Sequence, residues 1–255
     1  MSEHYFEFKN VTISFDEHTV LKEVSFFVEQ GETAVIMGRS GVGKSVSLKL
    51  LLGFLKADSG RIIVAGEDVT DWTEAQFATI RRRVTMVFQS GALFDSLTVA
   101  ENVAFPLLRR DEHEGTEDVD AKVTELLEML EVGQFADRTP PDLNTGMKRA
   151  VAIARALAEN PDAILYDEPT TMVDPLMALH VSELIVKLKH KFKKTSIVVT
   201  HDTHLAKKLA DRLIFLQDGR VAFFGTWQEL EKSQDPFLRN FLQQDELIPA
   251  LDATA

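Results

Sequence analysis

The chain is 255 residues long and 45% hydrophobic, with 28 basic residues, 40 acidic residues and no cysteine. That length suits one large domain or two small ones, with enough apolar side chains for a sizeable core. A net charge of −12 repels phosphate backbones and disfavours nucleic acid as a partner, and the lack of cysteine excludes disulfides and thiolate metal sites and fits a reducing compartment.

The start, Met1-Ser2-Glu3-His4-Tyr5, has neither the basic beginning nor the apolar stretch of a signal peptide. No run approaches the roughly 18 apolar residues of a membrane span. Residues 5–30 alternate apolar and polar and read as short antiparallel strands. Thr33–Met37 reads as a buried strand, and the leucine-rich run from Val46 to Leu55 as a helix. Asp58-Ser59-Gly60 turns into a strand at Arg61–Ala65, and Gly66-Glu67-Asp68 turns again. Residues 73–82 look helical and end in Arg81-Arg82-Arg83, a solvated helix end, since cations suit a helix C-terminus. Strand Val84–Phe88 then delivers Gln89.

From about 90 to 160 the pattern is helical throughout. Thr98-Val99-Ala100-Glu101 is a capping box, residues 111–118 form an acidic surface loop, and Val119–Leu130 is amphipathic. Asn144 precedes a helix that runs through Glu159 and is stopped by Asn160-Pro161. The β/α pattern then resumes with a buried strand at Ala163–Asp167. A helix capped by Asp174-Pro175 runs to the solvated Lys187–Lys194 stretch. A strand at Ser196–Val199 leads to His201. Asp218-Gly219 between Leu213–Leu216 and Val221–Phe224 signals a hairpin, Thr226–Glu229 is another capping box, and Asp245–Ala255 reads as a loose tail.

Between the strand at 33–37 and its helix lies Gly38-Arg39-Ser40-Gly41-Val42-Gly43-Lys44-Ser45, followed by Val46. It fits the phosphate-binding pattern G-x-x-x-x-G-K-[ST] at every fixed position and in the required strand–loop–helix context. Its glycines let backbone N–H groups turn inward around a triphosphate, and the helix N-terminus adds partial positive charge. Lys44 is expected at the β- and γ-phosphates, and Ser45 on Mg²⁺. Asp167, at a strand end, is placed to hold Mg²⁺ through water, and Glu168 to polarise an attacking water. Gln89 is expected to sense Mg²⁺ and the γ-phosphate, His201 to contact the γ-phosphate, and Phe15 to stack on adenine. Each is weak alone. Together, Gly38, Gln89, Asp167/Glu168 and His201 at strand ends suit one ligand at the C-terminal edge of one sheet.

From Phe15 to about Leu242 the chain resembles the nucleotide-binding subunits of ABC transporters. In that likeness 38–45 is the Walker A loop, Gln89 the Q-loop glutamine, 163–167 the Walker B strand followed by Glu168, Thr171–Asp174 the D-loop and His201 the H-loop histidine. The signature loop, usually Leu-Ser-Gly-Gly-Gln, appears as Leu143-Asn144-Thr145-Gly146-Met147, a departure at three of five positions. The runs Gln89–Val99 and Glu101–Leu107, Met147 and Asp235-Pro236 resemble a narrower class, the Mce/Mla ATPases that move lipids between bacterial membranes.

The resemblance implies an α/β P-loop NTPase (RecA-like) core with an N-terminal antiparallel β-subdomain and an inserted helical subdomain at about 90–160, all within 1–244. It implies ATP and Mg²⁺ as cofactors. It also implies a head-to-tail dimer in which Asn144 and Gly146 of one copy meet the ATP of the other. The partners expected are a membrane permease and a substrate-binding Mce-type protein, at the cytoplasmic face of the inner membrane. Two other readings stay open: the ATPase of an amino-acid or metal importer, and a division-linked ABC ATPase that transports nothing.

Overall fold

The computed structural model describes residues 4–109 and 118–242. The acidic stretch 111–117 and the tail from Asp245 lie outside them. β1 (His4–Phe15) and β2 (His18–Glu29) are two antiparallel strands of 12 residues each, where the sequence suggests several short ones. The breaks in alternation are register shifts, with Asn10 and Glu23 at positive φ. An inserted residue interrupts the period of two without ending the pairing. β3 (Thr33–Gly38), buried at all six positions, runs into α1 (Lys44–Leu51). α1 stops short of the expected Leu55. Gly53 takes φ +68, and the Phe77 ring lies where its side chain would be, 2.4 Å from a Cβ.

β4 (Ser59–Val64) and β5 (Glu67–Asp68) complete a four-stranded sheet of order β2-β1-β4-β5. The stretch expected to be only a turn at 66–68 therefore carries a short strand. α2 (Glu74–Arg83), opened by a Thr73/Gln76 capping box, leads to β6 (Val84–Val87).

α3 (Val99–Ala104), α4 (Val119–Met129) and α5 (Thr145–Ala158) carry the helical segment. Asp118 caps α4 by accepting from Ala121 N–H at 3.1 Å. Helix does not begin at 90, because residues 89–98 form turns. They are organised by Asn102, which is fully buried in α3. Its side chain accepts from Phe94 N–H (2.9 Å) and donates to the carbonyls of Phe94 (3.0 Å), Leu97 (3.2 Å) and Thr98 (3.0 Å). One buried amide thus satisfies backbone groups that a loop under the surface leaves unpaired.

The remaining elements alternate: β7 (Ala163–Asp167), α6 (Pro175–Phe192), β8 (Thr195–Val199), α7 (Thr203–Leu209), β9 (Arg212–Gln217), β10 (Arg220–Gly225) and α8 (Trp227–Glu231). The second sheet has order β10-β9-β3-β8-β7-β6, parallel except for β10. The β9–β10 hairpin turns at Asp218-Gly219, both at positive φ, as the sequence predicts.

The sheet separates two cores. Val35 and Met37 of β3 join Val198, Phe215 and helices α3 to α7 on one face. Ala34 and Ile36 join Ile197, Ile214, α1 and the N-terminal sheet on the other. Alternation along each strand produces this division. α5 is apolar nearly all round, with Ala150 to Ala154 buried. The helical segment therefore shares its core with the sheet.

Candidate nucleotide site

β3, β8, β7 and β6 are successive neighbours, so their C-terminal ends lie side by side. Gly38 closes β3, Asp167 closes β7 with Glu168 next, and Gln89 and His201 stand two residues beyond β6 and β8. These ends border a pocket of about 670 Å³ lined by Phe15, Gly38, Arg39, Ser40, Gly41, Gly43, Lys44, Ser45, Val46, Gln89, Glu168 and His201, together with Val20, Thr171 and Phe241. The size suits a nucleotide.

Two glycines in the loop have no substitute. Gly38 has φ +147, and a Cβ there stands 2.4 Å from the Leu216 carbonyl oxygen; Gly43 has φ +104, and its Cβ meets the Leu21 side chain at 2.5 Å. Gly43 is also the N-cap of α1. No side chain caps that helix and its first turn holds no acid, so its N–H groups remain for an anion. The Lys44 ammonium is buried. It donates to the carbonyls of Gly38 (3.0 Å) and Arg39 (3.2 Å) and pairs with Glu168 Oε1 at 3.3 Å.

Glu168 follows β7 in a left-handed conformation, φ +49, which costs a residue bearing a side chain roughly 1–2 kcal/mol. Its N–H still pairs with the Val199 carbonyl at 2.9 Å, so the chain turns out of the sheet without losing that ladder bond. Oε2 accepts from Thr171 Oγ1 at 2.7 Å and lies 2.8 Å from His201 Nδ1. Burial pushes the Glu168 pKa up. The hydrogen bonds from His201 and Thr171 and the Lys44 charge outweigh it and bring the value down to about 2. Glu168 is therefore ionised at neutral pH. The hydrogen bond to Glu168 raises the His201 pKa against a smaller opposing effect of burial.

Asp167 accepts from Ser45 Oγ at 2.6 Å. Burial raises its pKa, the Ser45 hydrogen bond opposes that, and the Glu168 charge adds to it. A cation beside Asp167 relieves both raising effects. Among the described residues no group of three or more His, Cys, Asp or Glu side chains could hold a metal alone. Ser45, Asp167 and Gln89 offer oxygens only. This donor set fits Mg²⁺, which takes few protein ligands and completes its shell with phosphate and water.

Four expected residues stand off the pocket wall. Val42 faces a neighbouring cavity of about 500 Å³ across the loop, beside His18, Asp218 and Phe237. Asn144 and Gly146, at the start of α5, line neither cavity. Asn144 is the helix N-cap, accepting from Met147 N–H at 2.8 Å, and Gly146 is pressed against α6, where a Cβ would meet Met177 at 2.7 Å. Asp167 reaches the site through Ser45.

Three lining residues escape sequence reasoning, Val20 of β2 among them. Thr171 belongs to the expected D-loop, but its bond to Glu168 depends on the turn between them. Phe241 comes from a helical stretch at 236–242 whose Phe237 and Phe241 rings pack edge-on against Phe215, with the Arg39 guanidinium 5.6 Å from the Phe237 ring. The only local signal there is Asp235, which caps the stretch by accepting from Phe237 N–H at 2.8 Å.

Comparison with known proteins agrees with this geometry. Residues 21–171 match the family model described as ABC transporter. The chain is 35% identical to the intermembrane phospholipid transport system ATP-binding protein MlaF of Haemophilus influenzae, over 95% of this chain and 92% of that protein. It is 34% identical to the methionine import ATP-binding protein MetN 1 of Pseudomonas putida, over 94% of this chain and 72% of that protein. Among solved structures, the dimeric post-hydrolysis ATP-binding cassette MJ0796 bound to ADP and Pi superposes with a TM-score of 0.78 at 35% identity, covering 87% of this chain and 98% of that one.

Proposed function

This chain belongs to the ABC transporter family as an ATP-hydrolysing subunit, and on that premise we propose that it drives phospholipid or other lipid transport between bacterial membranes through a separate permease. The observation that carries the lipid reading is the likeness to MlaF along nearly the whole of both chains. The near-equal likeness to a methionine importer favours a second reading, the same motor on a different permease.

In this reading the loop from Gly38 to Val46 holds the triphosphate and Phe15 stacks on the base. Base–aromatic stacking contributes roughly 1–3 kcal/mol. Lys44 exchanges its carbonyl partners and Glu168 for phosphate oxygens. Ser45, Asp167 and Gln89 would hold Mg²⁺, whose charge would offset that developing on the phosphate. Glu168, ionised and directed by Thr171 and His201, accepts a proton from the attacking water.

A second copy, head to tail, brings Asn144 and Gly146 to the γ-phosphate. The position of both residues off their own chain's pocket supports that reading. Asn144 Oδ1 is committed to the cap, so the amide Nδ2 is the donor left for phosphate. A hydrogen bond to a charged group contributes roughly 1.5–3 kcal/mol, or about tenfold to a hundredfold in rate. Asn144→Ala is expected to lower ATP turnover by that order and leave ATP affinity of the monomer unchanged. Asn144→Asp keeps the cap but not the donor, and is expected to be equally slow at the parent's Tm. Parent-like turnover in Asn144→Ala would falsify the cross-dimer contact and favour a decayed signature loop.

No helix among the described residues is long and apolar enough to cross a membrane. In our reading the chain sits at the cytoplasmic face of the inner membrane, held there by an integral permease that supplies the spans, with an Mce-type protein beyond it. The docking surface is the open groove lined by Leu52, Phe54, Phe88, Phe94, Phe105 and Arg155. Phe94 is 41% exposed, packs on Phe105 at 4.5 Å and lies under the Arg155 guanidinium, whereas its neighbour Leu93 packs against the core. An exposed phenylalanine at a groove marks an interaction site. The complex isolated from native membranes is expected to carry a permease and bound phospholipid, identified by mass spectrometry. Phe94→Ser is expected to lose both while the isolated subunit keeps its basal ATPase. Co-purification of a binding protein for amino acids in place of phospholipid overturns the lipid reading. Retention of the permease by Phe94→Ser moves the docking site elsewhere.

A further inference from the structure

Arg149, in the second turn of α5, is buried at 3% exposure. Its Nη1 donates to the Phe88 carbonyl at 3.3 Å and its Nη2 to the Thr171 carbonyl at 3.4 Å, and its Nε has no hydrogen-bond partner among the described residues. Both bonds are long, and no carboxylate among the described residues forms an ion pair with the guanidinium. Burial alone holds its pKa below the usual arginine range. A buried charge without an ionic partner is a net cost to folding, so its presence calls for a reason other than stability.

The two carbonyls supply one. Phe88 immediately precedes Gln89. Thr171 is the residue whose hydroxyl donates to Glu168 Oε2 at 2.7 Å. One rigid fork therefore joins the backbone that carries Gln89 to the turn that aims Glu168, and it does so from the helix that begins at Asn144. Arg155, two turns further on, donates to the carbonyls of Ala92 (2.8 Å) and Gly91 (3.1 Å), so the same helix also grips the loop beyond Gln89.

We propose that Arg149 is a positioning residue for ATP hydrolysis, fixing Gln89 and Glu168 relative to one another through the Phe88 and Thr171 carbonyls and passing movement of α5 to both. The inference rests on the reading of Gln89 and Glu168 as reactive groups. It goes beyond that reading in assigning their registration to a residue that does not line the nucleotide pocket. The planar fork matters as much as the charge, since an ammonium on a flexible stem cannot span two fixed carbonyls in the same way.

The test uses the full chain with Arg149→Met, which fills similar volume without a buried charge, and Arg149→Lys. Tm, ATP affinity, kcat and KM are measured for each. We expect Arg149→Met to keep or raise Tm, to hold ATP affinity within about twofold, and to lower kcat at least about tenfold, with Arg149→Lys intermediate in kcat. Stability held while turnover falls is a combination that a packing role does not produce. A kcat within about twofold of the parent overturns the proposal, as does a loss of kcat that only tracks a lowered Tm. Should Arg149→Met fail to fold, Arg149→Gln, which keeps one donor arm, replaces it; parent-like kcat in that variant, or its failure to fold as well, overturns the proposal in favour of a structural role. Normal kcat in Arg149→Met beside an inactive Glu168→Gln sinks this inference alone, whereas an active Glu168→Gln sinks the reading beneath it.

Discussion

Glu168→Gln is expected to bind ATP like the parent, to hydrolyse it at least about a hundredfold more slowly, and to accumulate as an ATP-bound dimer. General bases contribute roughly 10²–10⁴ in rate, and an amide cannot accept the water proton. The substitution is close to isosteric. The amide can keep a partner in Thr171 or His201, whose bonds to Glu168 Oε2 are 2.7 and 2.8 Å long. It gives up the ion pair from Lys44 at 3.3 Å, which leaves that ammonium less restrained before phosphate arrives and so favours binding. Phosphate release under single-turnover conditions measures the chemical step, and size exclusion with and without ATP measures the dimer. Hydrolysis near the parent rate would remove Glu168 from the reaction.

Lys44→Ala acts at the preceding stage. In the described arrangement the ammonium is satisfied three times, by the carbonyls of Gly38 and Arg39 and by Glu168. A phosphate must compete with those partners, and it succeeds because the exchange replaces one weakly solvated anion with a more highly charged one. A charge-assisted contact of roughly 1.5–3 kcal/mol corresponds to about tenfold to a hundredfold in affinity. Calorimetry is expected to show ATP affinity reduced by that factor, with ADP affected less because it lacks the γ-phosphate. Unchanged ATP affinity counts against the whole pocket as the nucleotide site.

How much of this was legible in the sequence follows from what is local. The loop from Gly38 to Ser45 announces itself because a short backbone path around phosphate requires glycines at fixed spacings and lysine and hydroxyl at its end. Gln89, Asp167, Glu168 and His201 were legible as residues that end apolar runs, since the end of a strand is where a side chain leaves the sheet. The β9–β10 turn was legible because few residues accept positive φ in succession. What stayed hidden is set by distant contacts. Bulges disguised β1 and β2 as several short strands, and a phenylalanine 24 positions away ended α1 early at Gly53. Phe241 reaches the pocket only because Phe215 lies in the strand beside β3. Arg149 reads as one more basic residue after the signature loop until its burial is known.

The placement of β3 also bears on how the protein is made. Its neighbours are β8 and β9, with Thr33 opposite Ser196 and Ala34 opposite Arg212. Both partners lie far downstream. In a chain leaving the ribosome N-terminus first, the strand that carries the phosphate loop has no edge to pair with until most of the polypeptide exists. At about 5–20 residues per second the interval is roughly ten to forty seconds. During that time an unpaired strand, buried at every position in the finished fold, must be kept from wrong partners, while β1 and β2, adjacent in sequence, can already close on each other. Nascent-chain protection for this protein is thus a requirement of strand order, and competence to bind nucleotide arrives late and all at once, when Leu216 comes to rest against Gly38.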